Sequence, residues 1–358
     1  MADAQSSEFE IRSTAVDFSF GEILNLHKDR EIIIRPEYQR LFRWSNEQRS
    51  RLIESILLGL PIPPIFLIEN EDGVLELIDG LQRISSVLQF LEHTAINEPQ
   101  LTLDGCDFLK ELNGKSYEQL QTVQKLKIKR SPIRATIINR TGDSFVKYEM
   151  FKRLNTGGSL LSAQEIRNCS SRMVEGGEEF YGVLQSLAIH DTFAKSIVRL
   201  PQTAREQKAD EELVLRFFAL YFAQDIYKGN IEEWLDAYME KILFGKTEFQ
   251  IESSSKIFRE CFDTIFDKFG DQAFTRFNDN GEAIGRLAPA YFEAVCGAVS
   301  RNIEFIKSLA AEQAIARLRS AFADENFKQS TGPGANTIPK LATRIDVVTT
   351  YLKSDVDN

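Results

Sequence analysis

The stretch Leu75-Glu76-Leu77-Ile78-Asp79-Gly80-Leu81-Gln82-Arg83 changes character within two residues, and few chain paths accommodate such a change. The mostly apolar, alternating run up to Ile78 reads as a half-buried strand. Asp79-Gly80 breaks it. Beyond the break, Ile84, Val87, Leu88 and Leu91 recur at helical spacing, which places Gln82 and Arg83 in the first turn of a helix. A strand entering a helix through an Asp-Gly corner gathers backbone N–H groups, a carboxylate, an amide and a guanidinium around one point, where an anion could be held. An equally open reading makes this a plain turn in which Asp79 caps the helix.

The chain has 358 residues, 43% hydrophobic and 27% charged, which suits an ordinary globular protein of about two domains. It contains no long uncharged apolar run. The N-terminus, Met1 to Ser7, is polar and acidic, so neither a membrane span nor a secretory signal is expected. Cys106, Cys169, Cys261 and Cys296 are scattered, without the paired spacing of a zinc or redox site, and read as buried thiols in a reducing cytoplasm. A net charge of -10 argues against a broad, sequence-independent grip on DNA. Two local basic segments remain: Arg35, Arg40, Arg43, Arg49 and Arg51, and the run Lys125, Lys127, Lys129, Arg130 and Arg134, read as a solvated face leading into a strand.

Along the N-terminal half, Phe20 to Leu26 reads as a helix capped by Ser19, and Ile32 to Ile34 as a strand stopped by Pro36. Tyr38-Gln39-Arg40-Leu41-Phe42-Arg43-Trp44 is dense in arginine and aromatic groups. Ser45 and Gln48 form a capping box that opens a helix closed by Gly59. Pro61-Ile62-Pro63-Pro64 forces an extended path into a strand from Ile65 to Ile68, and Glu71-Asp72-Gly73 turns the chain back. The region from Thr94 to Lys115 is irregular and is expected to pack through Leu101, Leu103, Phe108 and Leu109. Ser116 and Gln119 predict another capped helix, Ile133 to Ile138 a strand, and Ser144 to Leu154 a helix carrying Phe145, Tyr148, Met150 and Phe151.

A second notable motif runs from Phe151 to Asn168. It reads as a helix, a Gly157-Gly158 turn and a new helix capped by Ser162 with Glu165. Such a turn can present amides to a phosphate or carboxylate, with Arg153 and Arg167 as charged donors nearby, or Gly157 can simply end the helix. From Ser170 onward the chain reads as nearly all helical. Stripes at Glu211 to Phe222, Ile231 to Leu243 and Ile257 to Phe269 form a core, and further helices follow at Pro289 to Val299, Ile303 to Leu309, Glu312 to Phe322 and Leu341 to Leu352. A Gly-Pro-rich loop, Ser330 to Asn336, separates the last two. Arg199 and Arg205 lie in an irregular stretch that could touch nucleic acid; no nucleic-acid-binding residue is otherwise assigned. Gly245-Lys246-Thr247 matches only the end of a P-loop, because Glu240 occupies the position that requires glycine.

Taken in order, Tyr38 to Arg40 with Trp44, Ser55 to Pro63, Asp79 to Arg83, and Asn155 to Asn168 resemble a bacterial family over roughly the first half of the chain. It is the ParB/sulfiredoxin-like nuclease and nucleotidase family, found in the GmrSD modification-dependent restriction enzymes and the SspE phosphorothioate-sensing defence protein. The resemblance implies an α+β fold: a ParB/sulfiredoxin-like nucleotide-binding domain over residues 1–169, followed by an all-helical domain over residues 170–358. It also implies a cytoplasmic protein that binds, and in relatives hydrolyses, a nucleoside triphosphate, GTP favoured, within systems that restrict phage or foreign DNA. The family's Asp-Gly-Gln-Gln-Arg motif falls on Asp79, Gly80, Leu81, Gln82 and Arg83. Leu81 stands where the family usually has glutamine, so the resemblance supports binding more than hydrolysis.

Carried over residue by residue, Asp79, Gln82 and Arg83 form the catalytic set, with Asp79 holding Mg2+ or orienting water. Arg40, Gly80, Arg83, Asn155, Thr156, Gly157 and Gly158 form the nucleotide site. Arg40 could instead be an internal ion pair with Glu37 or Asp79. His27, His93 and His190 are far apart, so the histidine-metal nuclease fused downstream in several relatives is not expected here. DNA cleavage would then need a partner nuclease or another defence subunit. The alternative function is a non-catalytic reader of DNA modification, or a protein-interaction adaptor, using the same cleft.

Overall fold

The computed structural model describes residues 13–34, 42–139, 144–156 and 161–354. The chain divides between Gly158 and Ser159 into two compact units, and each is taken by itself. Together they are mixed: a sheet and helices in the first, almost all helices in the second.

In the first unit, β1 (Ser13–Ser19) leads into α1 (Phe20–Lys28) through a Ser19/Glu22 capping box. β2 (Ile32–Ile33) follows, then α2 (Asn46–Leu58), opened by a Ser45/Gln48 box and closed by Gly59 in the left-handed region. β3 (Ile65–Glu69) and β4 (Leu75–Asp79) form a hairpin that feeds α3 (Leu81–Glu92). α4 (Thr122–Arg130), β5 (Pro132–Ile138) and α5 (Ser144–Thr156) complete the unit. The strand order is β1-β5-β3-β4-β2. β1 runs antiparallel to β5 and β3 antiparallel to β4, while β5 is parallel to β3 and β2 parallel to β4.

Pairing between β3 and β4 slips at the end that carries the corner: Phe66 faces Asp79 while Leu67 faces Leu77, so Ile78 is an extra residue on β4. A bulge of this kind bends its strand and re-aims the side chains beyond it. α5 packs against β4, α3 against α2, and α4 against α1 and α2. Phe20, Ile53, Ile65, Leu67, Val87, Leu88, Ile128, Ala135 and Tyr148 are fully buried where these elements meet.

Several expectations are corrected. Ser116 and Gln119 begin only a single 3-10 turn, and Gln121 with Gln124 opens α4. The lysine run therefore lies on a helix rather than along an extended lead into β5, and its only buried residue is Ile128. Leu101 and Leu103 are buried as expected, but Phe108 is 78% exposed. The irregular region is ordered there by a polar clamp instead. The buried carboxylate of Glu54 accepts the amides of Asp107 at 3.2 Å, Phe108 at 2.8 Å and Leu109 at 2.6 Å.

Burial pushes the Glu54 pKa up, but the three amide donors outweigh it and hold the carboxyl below its ordinary value of 4.5. A depressed folded-state pKa contributes stability that is present above the ordinary value and lost as pH falls through the lower one. Glu54→Gln should thus cost about 1–3 kcal/mol at neutral pH and flatten the acid side of the stability profile. Urea midpoints measured from neutral pH into the acid limb check this; an unaltered profile contradicts it.

The second unit contains α6 (Ala163–Ser171), α7 (Gly177–Ala188), α8 (Asp191–Ser196), α9 (Gln202–Glu206), α10 (Ala209–Phe222), α11 (Ile231–Leu243) and α12 (Ile251–Phe269). A short antiparallel hairpin, β6 (Arg276–Phe277) and β7 (Ala283–Ile284), interrupts the helices. α13 (Pro289–Ser300), α14 (Ile303–Ser308), α15 (Ala311–Ala323), α16 (Glu325–Thr331) and α17 (Ile338–Lys353) follow. Phe193, Phe217, Phe218, Phe258, Phe262 and Phe292 are fully buried and form an aromatic core. The hairpin and α16 were not anticipated. Ser330 and Thr331, read from sequence as loop, end α16, with Ser330 buried.

All four cysteines are free and buried, as expected. Burial raises the Cys106 thiol to about 11 and pushes Cys261 and Cys296 up further, so none of these three is a ready thiolate at neutral pH. Among the described residues, no helix is long and apolar enough to cross a membrane.

Candidate functional site

The corner between β4 and α3 has an unusual start for a helix. Gly80 is the N-cap, at φ 101°, and as a glycine it brings no side chain to cap the helix. Asp79 therefore does not cap the helix. Its carboxylate, 30% exposed, instead takes a hydrogen bond and ion pair from Arg83 Nη2 at 2.9 Å. The same Nη2 donates to the Pro64 carbonyl at 3.0 Å, so the extended Pro61-to-Pro64 passage fixes one side of the guanidinium. Among the described residues, nothing accepts from the buried Arg83 Nε. A helix start with glycine at the N-cap, beside an arginine whose hydrogen-bonding capacity is not fully used, is an electrostatically positive place, only partly offset by Asp79.

Gly80 is required here for two separate reasons. Its backbone lies in the left-handed region, and a Cβ would sit 2.4 Å from Ile65 Cγ2 and 3.3 Å from Arg83 Nη2. Gln82 Oε1 accepts the amides of both Arg43 and Trp44 at 3.1 Å, which ties the segment ahead of α2 to the first turn of α3. Arg49 reinforces that segment. Its Nε donates to the Trp44 carbonyl at 2.8 Å, and its guanidinium lies 4.3 Å from the Phe42 ring centroid. Arg43, Trp44 and Pro64 take part through backbone atoms, which residue type does not reveal; only the prolines signal a fixed path.

The second motif reaches this corner through Asn155. It is 8% exposed, and its Nδ2 donates to the Ile78 carbonyl at 3.3 Å and to Phe151 O at 2.9 Å. The bulge residue thus supplies the acceptor that joins the end of α5 to the end of β4. Asn155 brackets the corner, and its amide nitrogen is already engaged. Thr156 is the last residue of α5. Arg40, Gly157 and Gly158 lie outside the described residues, as do Tyr38 and Gln39.

The two arginines that flank Gly157 and Gly158 in the sequence have other uses. Arg153, 78% exposed, pairs with Glu149 at 3.0 Å. Arg167, in α6, is buried within the helical unit, where it bonds Asp236 at 2.7 Å, Glu212 at 3.4 Å, Gln164 at 3.0 Å and the Glu232 carbonyl at 3.2 Å. It is a structural cation rather than a ligand donor. Arg199 and Arg205, considered from sequence for nucleic acid, bond Asp271 and the Ile197 carbonyl respectively.

Among the described residues, no three His, Cys, Asp or Glu side chains gather into a metal cage. Asp79 by itself suits only a hard cation that keeps most of its waters and takes its remaining ligands from a bound phosphate, as Mg2+ does.

Residues 20–171, from α1 through α6, match the family model described as GmrSD restriction endonuclease, N-terminal domain. That match covers less than half of the chain and includes every corner residue described above. No curated protein and no solved structure matches the chain. The first part of the chain is thus similar to the N-terminal domain of a restriction endonuclease.

Proposed function

We propose that this protein is a component of a bacterial restriction or antiphage system acting on foreign DNA, and that its first unit binds a nucleoside triphosphate, GTP favoured, at the β4–α3 corner. The observation that carries this reading is Arg83 at the glycine-capped start of α3, its Nε buried without an acceptor among the described residues. The start of α3 and the guanidinium receive the phosphates, and Arg40, Gly157 and Gly158, which lie outside the described residues, belong to the reading through the family resemblance alone. Kinship with ParB and sulfiredoxin folds, cytoplasmic location and a partner nuclease or other defence subunit belong to the same reading.

Binding needs a rearrangement. For Arg83 to meet a phosphate fully, its pair with Asp79 loosens, and Asp79 becomes available to a phosphate-bound Mg2+ or to water. Gln82 acts chiefly by positioning, since its Oε1 holds the Arg43 and Trp44 amides. A second reading, a non-catalytic reader or adaptor, is favoured by Leu81 in place of the motif's polar residue and by the closed Asp79–Arg83 pair.

Thermal shift with GTP, ATP and CTP plus Mg2+, followed by phosphate release, separates the two. A nucleotide present at about 100 times its Kd stabilises the folded state by about 2.7 kcal/mol. Arg83→Gln is expected to weaken binding by roughly 30-fold, equivalent to about 2 kcal/mol for a charged hydrogen bond. No stabilisation by any nucleotide, together with salt-dependent binding of a DNA duplex, makes the protein a reader.

A further inference from the structure

The helical unit contains a cleft of about 720 Å3 between the β6–β7 hairpin, α13, α15 and α16. That volume lies in the range of small-ligand sites. Its apolar wall is aromatic: the Phe277 and Phe322 rings stack with centroids 5.8 Å apart, and Tyr291 meets Phe322 edge-on at 4.6 Å. Arg319 lays its guanidinium over Phe277, 5.2 Å from the ring centroid. Arg276 and Lys328 also line the cleft.

The charges there are incompletely matched. Arg319 donates through Nη2 to the neutral Gln272 side chain at 3.3 Å, and its Nε is buried without an acceptor. Among the described residues, no carboxylate pairs with Arg319 or with the exposed Arg276. Lys328 is paired with Glu325 at 2.7 Å, and Asp279 is the one carboxylate lining the cleft. Two arginines without carboxylate partners thus line one cleft. A guanidinium stacked on a ring keeps its in-plane N–H groups for an acceptor, and that fork suits the oxygens of a phosphate.

We propose that this cleft binds a nucleotide unit, its phosphate held by Arg319 and Arg276 and its planar base set against the Arg319–Phe277 stack. The unit is either a free nucleotide or part of a DNA single strand; the chemistry recognised is the same. Asp279 opposes the phosphate and moderates the affinity. The site is separate from the corner at Gly80 and does not depend on the function proposed for that corner.

The test is calorimetric titration of the full chain at low salt with inorganic phosphate, thymidine monophosphate and a short 5′-phosphorylated oligothymidine. Thymidine monophosphate or the oligonucleotide is expected to bind more tightly than phosphate, and the tighter of the two identifies the source. Arg276→Gln with Arg319→Gln should lower affinity by at least about 30-fold. Arg276→Gln alone, at an exposed position, should lower it several-fold with unchanged thermal stability, which guards against a folding artefact. Arg319→Lys should recover only part of the loss, and Asp279→Asn should tighten binding about twofold. All titrations are made in an Arg83→Gln background, so that binding at the corner near Gly80 does not mask that at the cleft. The proposal is overturned if no probe binds, if phosphate alone binds as tightly as the nucleotide, or if binding survives the double substitution.

Discussion

Glu293→Ala is expected to destabilise the helical unit by about 3–5 kcal/mol. Glu293 lies on α13 and is 1% exposed. One of its oxygens pairs with Arg216 Nη1 of α10 at 2.9 Å and the other with Arg344 of α17. Burial works against the Arg216 charge, but Glu293 and Glu212 together hold its pKa above the usual value. Arg344 is fully buried and also donates to the Ser330 and Ala335 carbonyls at 3.1 and 2.8 Å, which fastens the Gly-Pro loop to the core. Removing the carboxylate leaves two buried cations to share what remains. The urea midpoint followed by circular dichroism should fall by more than about 1 M. Replacing all three residues with apolar ones of similar size should recover most of that loss, because the charges then leave together. If the single substitution leaves the midpoint unchanged, the pair does not span these helices as described.

Gly80→Ala should cost about 2–4 kcal/mol, the sum of backbone strain and a steric clash. The two contributions can be separated. Gly59, at φ 78°, has nothing within 4 Å of an added Cβ, so Gly59→Ala carries strain alone and should cost about 1 kcal/mol. The excess at Gly80 measures the clash with Ile65. Equal costs at the two glycines would mean that β3 yields to the new methyl group. Because relief of the clash displaces the first turn of α3, Gly80→Ala should also abolish any thermal shift by nucleotide, whereas Gly59→Ala should preserve it.

The elements most legible in the sequence are those with a local chemical signature. Ser45/Gln48 and Ser162/Glu165 fix two helix starts through bonds between residues three apart, and each box is present; Ser19, read as a cap, is one. The strand-to-helix change at Asp79 was readable because the period of the apolar residues switches there. Interactions across long sequence separations left no such trace. Phe108 looked like a core residue because nothing local reveals that Glu54, 54 positions away, captures its amide and leaves the ring outside. The β6–β7 hairpin has strands of only two residues, too short for alternation to register. Arg167 next to a glycine turn suggested a ligand donor, yet its partners Glu212 and Asp236 come from helices far along the chain. At the corner, the residue types were legible, but the mutual closure of Asp79 and Arg83 follows from the bulge at Ile78 and the carbonyl of Pro64.

The most direct measurement is the structure of the protein with a slowly hydrolysed GTP analogue and Mg2+. The account predicts phosphate oxygens within hydrogen-bonding distance of Arg83 and of the first-turn amides of α3, with the Asp79–Arg83 pair loosened. A nucleotide located elsewhere, with that pair still at 2.9 Å and the start of α3 facing only solvent, would contradict it.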